Sequence, residues 1–243
     1  VLLQPHEASF HCVLGVALNE SGQPEAAQAA LEQALRLRPK YPEALNNLGT
    51  VHLAAQRFAE ASAQFQQALL LEPRMAEAHY NLACALEGLA RPAEAEAAYR
   101  QALTLHPRYF DALNNLGLLL RAQGRLGEAI GCCHQATTLA PTHARCHSNR
   151  GMLLFEYGAA TDAAAYCARA IALQSDFAEA YATLATAEST LGNTDAALGH
   201  VRQAIALAPE KIEYQLVLAA IHERREEGAE ALVGGLFEAE RFE

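Results

Sequence analysis

The chain has 243 residues, of which 51% are hydrophobic and 19% are charged, and its formal net charge is −10. This length allows a sizeable core, and the acidic balance disfavours nucleic acid or anionic lipid as the main partner, because both require a basic surface. Alanine and leucine dominate, tryptophan is absent, and the Val/Ile/Thr alternation typical of strands is scarce. The composition therefore predicts an all-α protein.

The chain contains no run of 18 apolar residues and no charged segment followed by an apolar leader and a cleavage site. We therefore predict neither membrane insertion nor a secretion signal. The cysteines are spread along a long helical chain, which is typical of reduced thiols and predicts a cytoplasmic location. They are Cys12, Cys84, Cys132, Cys133, Cys146 and Cys167.

The predicted helical elements recur along the chain with a period of 34 residues. One position of each period is a proline, except that Ser175 takes its place once, and alanines precede this position by five and by twelve residues. Proline ends a helix because it lacks an N–H group, and alanine lets two helices approach closely. The prolines are Pro5, Pro39, Pro73, Pro107, Pro141 and Pro209.

The period divides the chain into units of two helices each. Residues 1–7 keep Leu3 and Pro5 in register, so we expect the chain to begin inside a truncated preceding repeat. Residues 212–243 keep a first helix over 212–225 but lose the pattern at Gly234 and Gly235, which predicts a capping helix, a partial repeat or a junction to a further domain. The six full units between them are 8–41, 42–75, 76–109, 110–143, 144–177 and 178–211.

A 34-residue unit of two helices, with small residues at the helix crossings and a terminal proline, resembles the tetratricopeptide repeat. The resemblance covers nearly the whole chain. It implies a right-handed α-solenoid, in which each hairpin buries its remaining apolar face against the next hairpin.

Position 6 of four successive units is asparagine, on the side of the first helix opposite to the packing positions 4, 7, 8 and 11. Because asparagine is a poor helix former, four copies need a reason. Duplication of a harmless polar residue is one alternative. The other is that the amides, which both donate and accept hydrogen bonds, hold the main chain of an extended peptide. The four residues are Asn47, Asn81, Asn115 and Asn149.

In this feature the array looks like the repeat region of O-linked N-acetylglucosamine transferase, and the resemblance implies a concave asparagine ladder that grips a peptide backbone. We expect replacement of Asn81 and Asn115 by alanine to weaken peptide binding with little effect on stability. The neighbouring positions 5, 9 and 12 supply further candidate contacts. These are Asn46, Asn114, Tyr80, Leu118, Arg121, Met152 and Phe155.

Two of these predictions have alternatives. An apolar strip on a face predicted to be open is typical of a partner surface, unless the strip packs under the next helix. The strip consists of Leu53, Leu118, Met152 and Phe155. Arg121 either binds an acidic group of a ligand or pairs with Glu156 or Asp162.

The sequence contains no glycine-rich nucleotide loop, no H-E-x-x-H motif and no G-x-S-x-G motif. The cysteines and histidines between Cys132 and His147 lack the paired spacing of a zinc site, and Cys133 falls at a packing position. We therefore predict no enzyme, no catalytic residue, no metal and no cofactor.

Three functional hypotheses remain. The first is a scaffold that binds an extended segment of a partner protein. The second is the substrate-recruiting arm of a larger glycosyltransferase or methyltransferase. The third is end-to-end self-association, because a solenoid with an uncapped apolar end can stack on a copy of itself, and Val1, Leu2 and Leu3 are predicted to lie at such an end.

Overall fold

The computed structural model describes the backbone of residues 7–239 and the side chains of residues 7–225. In this part of the chain there are thirteen α-helices and no strand, which confirms the all-α prediction. The helices are α1 (Ala8–Glu20), α2 (Pro24–Leu37), α3 (Pro42–Ala54), α4 (Phe58–Leu71), α5 (Ala76–Gly88), α6 (Pro92–Leu105), α7 (Phe110–Ala122), α8 (Leu126–Leu139), α9 (Ala144–Glu156), α10 (Ala160–Leu173), α11 (Ala178–Thr190), α12 (Thr194–Leu207) and α13 (Ile212–Ala239).

The helices form pairs, and each odd-numbered helix begins 34 residues after the previous one. Three residues join the two helices of a pair, and the second residue of this turn has a positive φ in all six pairs. Glycine takes this conformation without steric cost, whereas a residue with a Cβ atom is strained in it. The positions are Gly22, Gln56, Ala90, Gly124, Gly158 and Gly192.

The chain divides into two compact units between Leu119 and Leu120, within α7. In the first unit, α1 to α3 share an apolar cluster in which Ala27 and Leu31 pack with Val51 of the next hairpin. Such a cluster joins successive hairpins, because part of its surface comes from the helix that follows the hairpin. In the second unit, Ala185, Val201 and Ile221 join α11, α12 and α13 in the same way.

Small residues allow the close contacts inside each pair. A Cβ atom at Gly49 would lie 2.5 Å from the ring of Phe65, which is fully buried. In the second unit, a Cβ atom at Gly151 would lie 2.5 Å from the sulfur of Cys167. Gly49 and Gly151 therefore let a side chain of the partner helix pack directly on their backbone.

Two predictions concern the ends of the chain. Helix α13 continues to Ala239, past its expected end at residue 225 and through Gly234 and Gly235. Each glycine costs a helix about 1 kcal/mol relative to alanine, and the alanines, leucines and glutamates around them favour the helix. Residues 1–6 of the expected preceding repeat, including Val1, Leu2 and Leu3, lie outside the described residues. Across the described residues, no helix combines the length and the apolar character needed to cross a membrane.

Candidate functional site

The predicted asparagines of the first unit link successive first helices of the hairpins. In this unit α1 packs on α3, and α3 packs on α5. Each amide nitrogen points to a side chain 35 residues earlier, at position 5 of the preceding repeat. We call Asn47, Asn81 and Asn115 the amide row. Its contacts are Asn47 Nδ2 to Cys12 Sγ (3.5 Å), Asn81 Nδ2 to Asn46 Oδ1 (3.1 Å) and Asn115 Nδ2 to Tyr80 Oη (3.2 Å).

The burial of the asparagines differs from the open ladder that the sequence predicted. Asn81 is only 8% exposed, and Asn46 and Asn114 are 3% and 4% exposed, whereas Asn47 and Asn115 are half-buried. The reason is the 35-residue offset, which places the amide of one repeat against a polar side chain of the repeat before it. The expectation that alanine at Asn81 leaves stability unchanged is corrected accordingly, because the change removes the donor to a buried oxygen of Asn46.

Tyr80 lies in a group of aromatic and polar side chains on α5, on α6 and at the residue just before α7. Its ring centre is 5.9 Å from that of Tyr99 and 4.9 Å from that of Tyr109. The hydroxyl of Tyr99 donates to the carboxylate of Glu87 and lies 3.3 Å from the sulfur of Cys84. Burial raises the pKa of the tyrosine hydroxyls at Tyr80 and Tyr99, so both remain protonated donors at neutral pH.

A cavity of about 190 Å³ opens beside Asn47 in the first unit. Its more exposed wall consists of polar and acidic side chains from α1, α3 and α5, together with Val16, and its buried wall is apolar. Sequence reasoning did not single out this cavity, because four helices contribute residues that lie up to 62 positions apart in the chain. The exposed wall is formed by Val16, Asn19, Glu20, Asn47, Thr50 and Glu77, and the buried wall by Gly15, Leu31 and Val51.

In the second unit, Arg121 forms an ion pair with Glu156. Its Nε lies 2.7 and 2.8 Å from the two carboxylate oxygens, and its Nη2 also donates to this carboxylate. The hydrogen bond to Glu156 raises the pKa of the guanidinium further. Of the two roles predicted for Arg121, the structure shows the pairing with Glu156.

The predicted apolar strip is half-buried. Leu118 on α7 and Met152 and Phe155 on α9 all have intermediate exposure, as does Asn149. Leu53, at the same register as Phe155, packs against Phe65 and Ala85 of the neighbouring helices. For Leu53 the structure therefore shows packing against neighbouring helices, and for Leu118, Met152 and Phe155 both alternatives stay predictions.

The cysteine and histidine side chains show the packing expected of them. Cys133 is fully buried, and this burial raises the pKa of its thiol to about 12. His147 Nε2 lies 3.0 Å from the carbonyl oxygen of Pro141 and therefore carries the proton that it donates. Among the described residues, no group of three or more His, Cys, Asp or Glu side chains is arranged to hold a metal ion.

Paired helices that repeat every 34 residues define an all-α helical repeat array. The tetratricopeptide repeat family profile matches residues 12–61, 47–87 and 80–144, which together exceed half of the chain. The chain therefore belongs to the tetratricopeptide repeat family. A search of curated proteins gave no match.

Solved structures with similar folds are tetratricopeptide arrays of varied roles. The APC/C hetero-tetramer Cut9–Hcn1 matches with a TM-score of 0.80 at 15% identity, over 90% of this chain and 43% of that one. PilF of Pseudomonas aeruginosa matches with a TM-score of 0.79 at 21% identity, over 88% and 97% of the two chains. The type IV pilus biogenesis factor PilW matches with a TM-score of 0.77 at 25% identity, over 87% and 98%.

Proposed function

We propose that this chain is a non-catalytic protein-interaction module that holds an extended segment of a partner protein along the amide row. Membership of the tetratricopeptide repeat family supports the general role in protein–protein interaction. YrrB, a protein of similar fold at 24% identity and a TM-score of 0.57, is described as having an unusual peptide-binding site. The six cysteines carry thiols and not disulfides, which suits a reducing compartment and supports a place in the cytoplasm.

The observation that carries the proposal is the state of Asn47 and Asn115. Both side chains are half-buried, and the amide nitrogen of each is within reach of a side chain of the preceding repeat. This contact fixes the amide in one orientation while part of the group stays accessible. A fixed amide loses little conformational entropy when a peptide N–H or C=O meets it, so a binding surface of this kind is preorganised.

The other candidate residues have different parts in this proposal. Asn46, Asn81 and Asn114 are buried, and the hydrogen bond from Asn81 to Asn46 joins α5 to α3, so we assign these three residues to the support of the surface and not to contact with the peptide. Tyr80 positions Asn115 through its hydroxyl. Asn149, Leu118, Met152 and Phe155 stay candidates for direct contact because they are partly exposed. Arg121 is paired with Glu156, which makes it a weaker candidate.

The test is a peptide-display selection against the full chain, followed by affinity measurements on the enriched peptides. We expect Asn47→Ala and Asn115→Ala together to weaken binding about tenfold, the loss of one or two hydrogen bonds, with the helical content unchanged. The control is Gln33→Ala, which removes a polar side chain from α2, the second helix of its hairpin, outside the amide row. This variant should bind the peptides as the original chain does. Unchanged affinity of the double variant for every enriched peptide would refute the proposal.

A further inference from the structure

We propose that the cavity beside Asn47 receives the cationic side chain of a lysine or arginine of the bound segment. This inference rests on the proposed function, because it names the partner residue that fits one place on the amide row. The cavity lies between α1 and α3, and the first turn of α5 contributes Glu77 to it. It therefore spans three successive repeats at the point where the row begins.

The size of the cavity suits one side chain. Its volume of about 190 Å³ exceeds the room of a single water, ~30 Å³, and falls short of the ~300 Å³ at which pockets for whole small molecules begin. Because Gly15 has no side chain, Leu31 packs directly on the backbone of α1, and a Cβ atom at Gly15 would lie 2.5 Å from Leu31. Leu31 and Val51 are fully buried, so they give the cavity an apolar wall for an aliphatic stem.

The charges around the cavity favour a cation. Glu20 and Glu77 are exposed at its edge, and among the described residues neither forms an ion pair. No lysine or arginine lines it, and Arg108 lines a different cavity that Glu77 also borders. A lysine or arginine head group placed here meets two carboxylates in a recess that is partly shielded from water, where opposite charges attract more strongly than at an open surface.

Neutral acceptors complete the surroundings of the cation. The hydroxyl of Thr50 donates to the main-chain oxygen of Asn46, which leaves the lone pairs of the hydroxyl oxygen as acceptors towards the cavity. The amide of Asn46 lies 3.5 Å from the carboxylate of Glu77, which keeps that side chain near the cavity. Because an ammonium or guanidinium group only donates hydrogen bonds, a wall of carboxylate, hydroxyl and amide oxygens matches its chemistry.

The experiment is an NMR titration of the full chain, labelled with ¹⁵N, with acetyl-Gly-Ser-Lys-Ser-Gly-amide. The matched probes replace the lysine by norleucine, which keeps the stem and removes the charge, or by glutamate. We expect saturable shifts at Asn47, Thr50 and Val16 with the lysine peptide, and about fivefold weaker binding of the norleucine peptide. The preference for lysine should decrease as salt is added.

Two variants locate the effect. Glu20→Gln and Glu77→Gln together should reduce binding of the lysine peptide to the level of the norleucine peptide. Glu60→Gln removes one exposed carboxylate on α4, away from the cavity, and should change nothing. All three substitutions are on exposed side chains, so circular dichroism should show the same melting curve for all proteins.

The outcomes separate this inference from the proposed function. Equal binding of the lysine and norleucine peptides at Asn47, or an equal effect of Glu60→Gln, overturns the cation site and leaves peptide binding on the amide row intact. Shifts at Asn47 that require lysine support the cation site even where the enriched longer peptides prove insensitive to Asn115. Shifts confined to other surfaces refute the cation site, and the longer peptides then decide the proposed function alone.

Discussion

The two compact units connect successive hairpins through different polar contacts. In the first unit the contacts are amides that are buried or half-buried, such as Asn81 with Asn46. In the second unit they are exposed ion pairs, Arg121 with Glu156 and Lys211 with Glu179. The repeat geometry thus brings equivalent places of neighbouring hairpins together, and the residue types at those places decide how each connection depends on burial, salt and pH.

The turns within the hairpins also differ between the two units. The three turns of the second unit have glycine at the residue with positive φ, whereas the first unit has Gln56 and Ala90 at φ values of 56° and 55°. A side chain in this conformation costs about 1 kcal/mol or more. The first unit therefore combines strained turns with buried amide contacts, and the second unit combines relaxed turns with exposed charges.

The largest effect is expected where a buried amide is removed. Asn81→Ala removes the donor to the side-chain oxygen of Asn46, a residue that is only 3% exposed. The free energy of unfolding should therefore fall by about 2 kcal/mol. The urea midpoint, followed by circular dichroism because the chain lacks tryptophan, measures this loss. The loss should be the same at low and high salt.

A double-mutant cycle with Asn46→Ala gives the control for Asn81. If the amide pair acts as a unit, the double variant should lose less stability than the sum of the two single variants. Simple additivity would mean that the two asparagines contribute separately and that the amide row does not connect the hairpins.

The turns should give the next largest effect, with opposite signs in the two units. Ala90→Gly relieves the left-handed strain in the first unit and should raise the free energy of unfolding by about 1 kcal/mol. Gly158→Ala introduces the same strain in the second unit, where the added Cβ meets no other atom within 4 Å, and should lower it by a similar amount. Changes of the same sign in both variants would show that the turns are not the source of the difference.

The ion pair of the second unit should contribute less. Arg121→Ala removes a pair whose side chains are 41% and 34% exposed, so the loss should stay below about 1 kcal/mol. High salt should reduce this loss, because exposed charges are screened. The matched measurement is the stability loss of Asn81→Ala at low and at high salt. If salt changed the losses of both variants equally, the two units would not differ in the kind of contact that joins their hairpins.

The sequence predicted the helical pairs and their spacing because proline, glycine and alanine act locally or within one hairpin, as Gly49 under Phe65 illustrates. It did not predict the contact of Asn81 with Asn46, because the offset of 35 residues depends on how one hairpin lies against the next. Helical periodicity predicted Asn81 to lie opposite the packing positions of its own helix, but the side chain is buried against Asn46 of the neighbouring first helix. The acidic cavity at Glu20 and Glu77 was missed for the same reason.

The smallest predicted effect is a pH response of opposite sign in the two units. The hydrogen bond from Lys211 lowers the pKa of Glu179, while burial raises the pKa of Glu87 despite the hydrogen bond from Tyr99. The stability that Glu179 adds to the folded state is therefore fully present above its unfolded pKa of about 4.3. This stability is lost as pH falls through the lowered pKa of the folded state. For Glu87, the folded state gains stability as pH falls through the raised pKa of the folded state. This gain is complete below the unfolded pKa of about 4.3.

The two carboxylates can be separated by comparing each neutral variant with the original chain across this pH range. Relative to Glu179→Gln, the original chain should lose stability on acidification, by less than about 1 kcal/mol because the side chains of Glu179 and Lys211 are 53% and 40% exposed. Relative to Glu87→Gln, it should gain stability over the same range. If both differences have the same sign, the desolvation of the Glu87 carboxylate does not outweigh the hydrogen bond that it accepts from Tyr99, and the two units respond to acid alike.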